Sequence, residues 1–144
     1  MDDLTHERQL APHQAHALPP GRCAVYVFSL SATHGELCPA GPHRVLKVGK
    51  AGPRSNARFQ SQHYGSRRAP STLAGRLATT PEAWAHLGVG VRDLGDLGRW
   101  IREHTDRDNF YLNAAAEHLL DRLEQFLQAR LHPLFEGRQN NLVF

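Results

Sequence analysis

The chain has 144 residues, 40% of them apolar and 22% charged, and a formal net charge of +3 with its ten histidines neutral. That suffices for one folded domain with one core, and it argues against a disordered chain; the mild basicity permits a polyanionic partner without requiring one. No stretch reaches the ~20 apolar residues of a membrane span, no signal peptide is visible, and Cys23 and Cys38 form neither a C-x-x-C pair nor a secreted disulfide framework, so a cytoplasmic protein with no membrane partner is expected.

Residues 1–21 are polar and close on Pro19-Pro20-Gly21, which reads as a flexible N-terminal arm ahead of a single domain over 22–144. "RCAVYVFSL" (22–30) is rich in β-formers and predicts a buried strand, with Val25 and Val27 on one face and Tyr26 on the other. A turn-rich connection leads to a second strand, "RVLKVG" (44–49), hairpin-paired with the first. "AGPRSN" breaks that strand, and Ser55 or Asn56 caps a helix over "ARFQSQHY". Ser71 or Thr72 caps another short helix, with Leu73 and Leu77 one turn apart, ending before Pro81. "HLGVGVRDL" (86–94) alternates enough to predict a third strand, "LGRWIREHT" a short helix, and "DRDNFYLN" a loop. Asn113 then caps a long helix to Leu131, stopped by Pro133. On its wheel Ala116, Leu119, Leu120, Leu123, Phe126, Leu127 and Leu131 share one face, with Glu124 at the edge.

Of seventeen cationic residues only two are lysines, Lys47 and Lys50, and both flank Gly49 at the end of the second strand. The G-x-x-x-x-G-K-[S/T] spacing is absent, so this is not a nucleotide phosphate loop. Two readings fit: a pair of solvated lysines at a strand end, or a cation beside open backbone where an anionic group can approach closely. Lys50, Arg54 and Arg58 could form one positive patch, extended by Arg67 and Arg68, with His63 and Tyr64 in reach of the same face; such cations would bind nucleic-acid phosphates. Glu124, partly desolvated at the rim of its helix face, calls for a rim arginine or a hard cation such as Mg²⁺. The histidines show no H-E-x-x-H or other zinc spacing.

Taken in order, these pieces resemble the GIY-YIG nuclease family. Ala24-Val25-Tyr26 matches its first triplet, and Lys47-Val48-Gly49-Lys50-Ala51 its second, often followed by K-A in the family. Arg58 matches the arginine of the following helix, and His63 the family's frequent histidine. Glu124 is followed nine residues on by Pro133 and then by Phe135, the interval found in the nuclease domain of the bacterial excision-repair incision subunit. The chain departs from the pattern at Ala24 for glycine, at Lys47 for the second tyrosine, and at Glu136 for an asparagine, with Asn140 and Asn141 just beyond. The resemblance runs from residue 22 to about 137.

The resemblance implies an α+β fold, a mixed α/β sandwich in which a small three-stranded antiparallel sheet is flanked by helices. It implies a DNA endonuclease acting in repair, restriction, phage defence or a mobile element, with RNA left open as a substrate. Glu124 would hold one Mg²⁺ or Mn²⁺ together with phosphate oxygens, Tyr26 would act as general base or orient the water, and Arg58 would bind the scissile phosphate. Gly49, Lys50, His63 and Tyr64 would support the site, and Lys47 would stand in for the tyrosine hydroxyl or, if desolvated, accept a proton. A member that kept the fold without turnover would be a nucleic-acid-binding module. Sequence specificity would come from loops such as 65–77, from a homodimer or from a partner protein.

Overall fold

The computed structural model describes residues 4–65 and 72–135. Its centre is β2 (Arg22–Leu30), nine residues of which all but Arg22 are buried. A strand buried on both faces needs apolar or internally satisfied side chains throughout, and "CAVYVF" supplies them. β2 pairs antiparallel with β3 (Val45–Ala51), as the sequence predicts, and with β4 (Thr105–Asn113) on its other side. β1 (Thr5–Gln9) pairs antiparallel with β4, giving the order β1-β4-β2-β3.

The α+β class and the antiparallel sheet agree with the sequence reading, but the sheet has four strands rather than three. The segment expected as a flexible arm supplies β1, and His13 beyond it is buried, with Nδ1 at 2.9 Å from Thr105 O. The third strand is also elsewhere than expected. Residues 86–94 hold instead the end of α4 (Trp84–Leu87), a left-handed Gly88 at φ 71°, and a 3-10 turn, Val91–Gly95. Gly88, within the segment expected as a strand, is a helix C-cap. "DRDNFYLN", expected as a loop, lies in β4, which begins at Thr105. Its polar residues are paired rather than solvated: Asp106 Oδ1 accepts from Ala11 N at 2.8 Å, and Arg107 and Asn109 are fully buried.

Side chains alternate between the two faces of the sheet. Ala24, Tyr26 and Phe28 join the larger core with Phe59, Leu73, Leu77, Trp100 and Ile101. These come from α2 (Asn56–Gln60), α3 (Leu73–Thr79) and α5 (Leu97–His104). Thr72 caps α3, its Oγ1 accepting from Gly75 N at 3.1 Å, and Asp96 caps α5, accepting from Arg99 N at 3.1 Å. Ser31 likewise caps a short α1 (Ala32–Gly35) within the turn-rich connection. Val25, Val27 and Val48 face the other way, against Leu119, Leu120, Leu123 and Leu127.

Those leucines lead into or lie on α6 (Leu120–Leu131). Asn113 does cap the segment, accepting from Ala115 N at 2.9 Å, but residues Ala114–Leu119 form a 3-10 turn before the α-helix begins. The tighter winding rotates the stripe. Phe126, expected on the apolar face, is 58% exposed, with the Arg130 guanidinium 5.8 Å from its ring centroid. His132 ends the helix with φ 48°, and Leu134 N and Phe135 N then donate to Val45 O and Leu46 O at 3.0 and 2.9 Å.

Candidate active site

Gly49 sits opposite Tyr26 on the neighbouring strand. A Cβ there would lie 2.7 Å from Tyr26 Cε2 and 2.9 Å from Cζ, so the phenol ring occupies the space a side chain would need. The glycine between the two lysines is therefore required by packing. It also fixes where they point. Lys47 pairs with Phe28 and shares the face of Tyr26, whereas Lys50 pairs with Val25 and faces α6, where it forms an ion pair with Asp121.

Because β3 is an edge strand, both faces reach one cleft of about 580 Å³ that wraps its margin. Lys47, Lys50 and Gly52 line it from β3 and its end, Ser55 and Arg58 from the turn and helix that follow, and Glu117, Asp121 and Glu124 from the segment opposite. Lys47, Arg58 and Glu124, far apart in the chain, thus meet at one place.

Tyr26 lies just beneath this cleft, fully buried. Its hydroxyl is 2.7 Å from His63 Nε2. His63 Nδ1 accepts from Leu73 N at 3.0 Å, so a neutral ring must carry its proton on Nε2 and donate it to the tyrosine oxygen. The tyrosine proton is then turned toward Lys50 O, 3.4 Å away. Burial, helped by Lys47, Arg58 and Arg107, holds the His63 pKa well below the usual histidine range, which keeps the ring neutral. Burial pushes the Tyr26 hydroxyl up to about 12, against the pull of Arg58 and Arg107.

Lys47 is only 3% exposed. Desolvation, reinforced by Arg76 and Arg58, lowers its pKa from the ordinary 10.5 to about 8, and Glu124 opposes the shift. Glu124 is itself shifted upward by burial, with Lys50, Lys47 and Arg58 pulling it back.

Other expected members fall elsewhere. Tyr64 is buried away from the cleft, its hydroxyl 2.8 Å from His13 Nε2. Arg54 is exposed on the turn and does not line the cleft, so among the described residues of the expected patch Lys50 and Arg58 line it. Arg67, Arg68 and Glu136 lie outside the described residues.

One centre had no sequence signal. Arg107 on β4 is 0% exposed and lies behind Tyr26, its guanidinium 4.7 Å from the Tyr26 ring centroid and 4.4 Å from that of Phe59. It donates to Asn109 Oδ1 (2.8 Å), Tyr64 Oη (3.1 Å) and Phe59 O (2.7 Å). Neutral acceptors and ring faces hold this cation; among the described residues no carboxylate pairs with it. Among the described residues, too, no cluster of three or more His, Cys, Asp or Glu side chains is arranged to hold a metal ion. No protein-family model, no curated protein and no solved structure matches this chain.

Proposed function

We propose that this chain is a GIY-YIG-type, metal-dependent endonuclease that hydrolyses phosphodiester bonds of DNA. The observation that carries the reading is the convergence of Lys47, Arg58 and Glu124 on one cleft, over the Tyr26–His63 pair.

In this reading Arg58 and Lys50 bind the phosphates flanking the scissile bond, and Arg58 offsets the charge that builds on the phosphoryl oxygens. Glu124 suits a hard divalent cation shared with substrate: it is an oxygen ligand on the cleft wall, and Mg²⁺ is commonly held by one or two carboxylates plus phosphate oxygens. When bound there, Mg²⁺ or Mn²⁺ would supply Lewis-acid polarisation of the phosphate. Lys47 accepts the proton of the attacking water; with a pKa of about 8, about a tenth of its amines are neutral at pH 7. Tyr26, neutral at that pH and fully buried, positions from below, holding the backbone of Lys50 and the ring of His63. The P–O3′ bond breaks and the 3′ oxygen takes a proton from solvent water, leaving a 3′ hydroxyl and a 5′ phosphate.

A binding module without turnover is the second reading. The full burial of Tyr26 and the lysine at the family's second tyrosine favour it. Cleavage of labelled single-stranded, duplex and branched DNA with Mg²⁺ or Mn²⁺ separates the two. Metal-dependent cleavage supports the hydrolase, and salt-sensitive binding with no cleavage of any form supports the module.

A further inference from the structure

We infer that Lys47 is a Schiff-base nucleophile, and that the cleft carries a second activity: a lyase acting on abasic sites in nucleic acid. The inference rests on nucleic acid entering this cleft, and not on hydrolysis taking place there.

An amine reacts with an aldehyde only as the free base. Two arrangements produce a free lysine amine near neutral pH, a desolvated pocket and a neighbouring cation. Lys47 has both. Its side chain is 3% exposed yet lines the cleft, and the Arg76 and Arg58 cations bear on it against the weaker opposing pull of Glu124. Among the described residues no ion pair or hydrogen bond holds its Nζ. The other lysine differs: Lys50 is on the opposite face and engaged by Asp121. Among the described residues the cleft thus holds one lysine in an ion pair and leaves the other without one.

The cationic lining selects the aldehyde. Lys50 and Arg58 suit the phosphates on either side of a damaged nucleotide. An abasic site in its ring-opened form exposes an aldehyde at C1′. With no base attached, the open sugar is slender enough to reach an amine at the cleft floor. Nζ of Lys47 attacks C1′, and one water leaves as the imine forms. The protonated imine acidifies C2′, whose proton passes to water in the cleft. The electrons of that C–H bond form the C2′–C3′ double bond, and the C3′–O bond breaks. The strand leaves with a 5′ phosphate. Water then hydrolyses the imine, freeing Lys47 and a 3′ unsaturated aldehyde. Nothing is oxidised or reduced.

The test incubates the full chain with a duplex carrying one abasic site, in excess chelator, with sodium cyanoborohydride to reduce the imine. The expected result is a covalent protein–DNA adduct whose peptide mass maps to Lys47, and which is lost in Lys47→Met. The chain has only one other lysine, so mapping on the wild type decides the matter even if the variant fails to fold. No adduct under saturating DNA, or an adduct on Lys50 or the terminal amine, overturns the inference. Hydrolysis is scored separately, on intact DNA with metal, by its 3′ hydroxyl ends. The failure of either activity is therefore visible without the other.

Discussion

Replacing Gly49 with alanine puts a single methyl against the Tyr26 ring, which is held on several sides. The added Cβ would lie 2.7 Å from Tyr26 Cε2 and 3.0 Å from its hydroxyl oxygen, where carbon atoms normally rest about 3.5–4.0 Å apart. The ring has little freedom to yield. His63 holds its hydroxyl at 2.7 Å, Arg107 covers its face at 4.7 Å, and Phe28 and Phe59 meet it edge-on with centroids 6.0 and 5.9 Å away. Overpacking of this kind costs about 1–3 kcal/mol, offset by about 0.5–1 kcal/mol because alanine restricts the unfolded chain more than glycine does. The net expectation is a loss of about 1–2 kcal/mol, or roughly 2–8 °C in melting temperature. Urea denaturation of Gly49→Ala, Tyr26→Leu and the double variant measures it. Removing the ring should relieve the alanine, so the double variant should be more stable than the two single losses added together. A neutral Gly49→Ala, or strict additivity, would refute the claim that Tyr26 dictates glycine here.

The remaining predictions concern the buried charges and hydroxyls. Arg107→Leu strands the acceptors Asn109 Oδ1 and Phe59 O, and should cost about 2–4 kcal/mol in a urea melt, with Arg107→Lys intermediate. Lys47 has a folded-state pKa of about 8, below the ordinary 10.5, so the stability present above the higher value is lost as pH falls through the lower. Lys47→Met should therefore stabilise the fold by roughly 2–3 kcal/mol at neutral pH while abolishing cleavage, and the gain should shrink toward pH 10; a destabilised variant would contradict this. Tyr26 runs the other way. Its hydroxyl is pushed up to about 12, so its contribution is intact below the unfolded value near 10 and lost as pH rises between the two. Tyr26→Phe should lose up to about 3 kcal/mol less stability than wild type over that window, and an equal loss in both proteins would refute the shift.

The parts of the fold legible in the sequence are those whose local pattern and burial agree. β2 is a run dominated by β-formers, β3 carries Val45, Leu46 and Val48, and α3 follows the cap residue Thr72. β4 was hidden because Arg107 and Asn109 read as loop residues, and only partners from elsewhere in the chain, Tyr64 and Phe59 among them, make their burial tolerable. β1 was hidden for a related reason: five polar residues become a strand because β4 offers an open edge. In the site, the GIY-YIG resemblance named Tyr26, Lys47, Arg58 and Glu124, and the last three line one cleft while Tyr26 is buried. Helical spacing past Arg58 misplaced Tyr64, because α2 ends at Gln60 and a 3-10 turn sends that ring toward His13. Arg107 has no spacing signature, since it acts from behind the ring of Tyr26 and not on the cleft wall.

The hydrolase reading is tested most directly by following cleavage of intact, undamaged DNA as Mg²⁺ is added, for the wild type and Glu124→Gln, with DNA binding measured in parallel. The account predicts cleavage that needs metal, leaves 3′ hydroxyl ends and disappears in the variant while salt-sensitive binding persists. Equal cleavage by both proteins, or no cleavage by the wild type on DNA it binds, would contradict it.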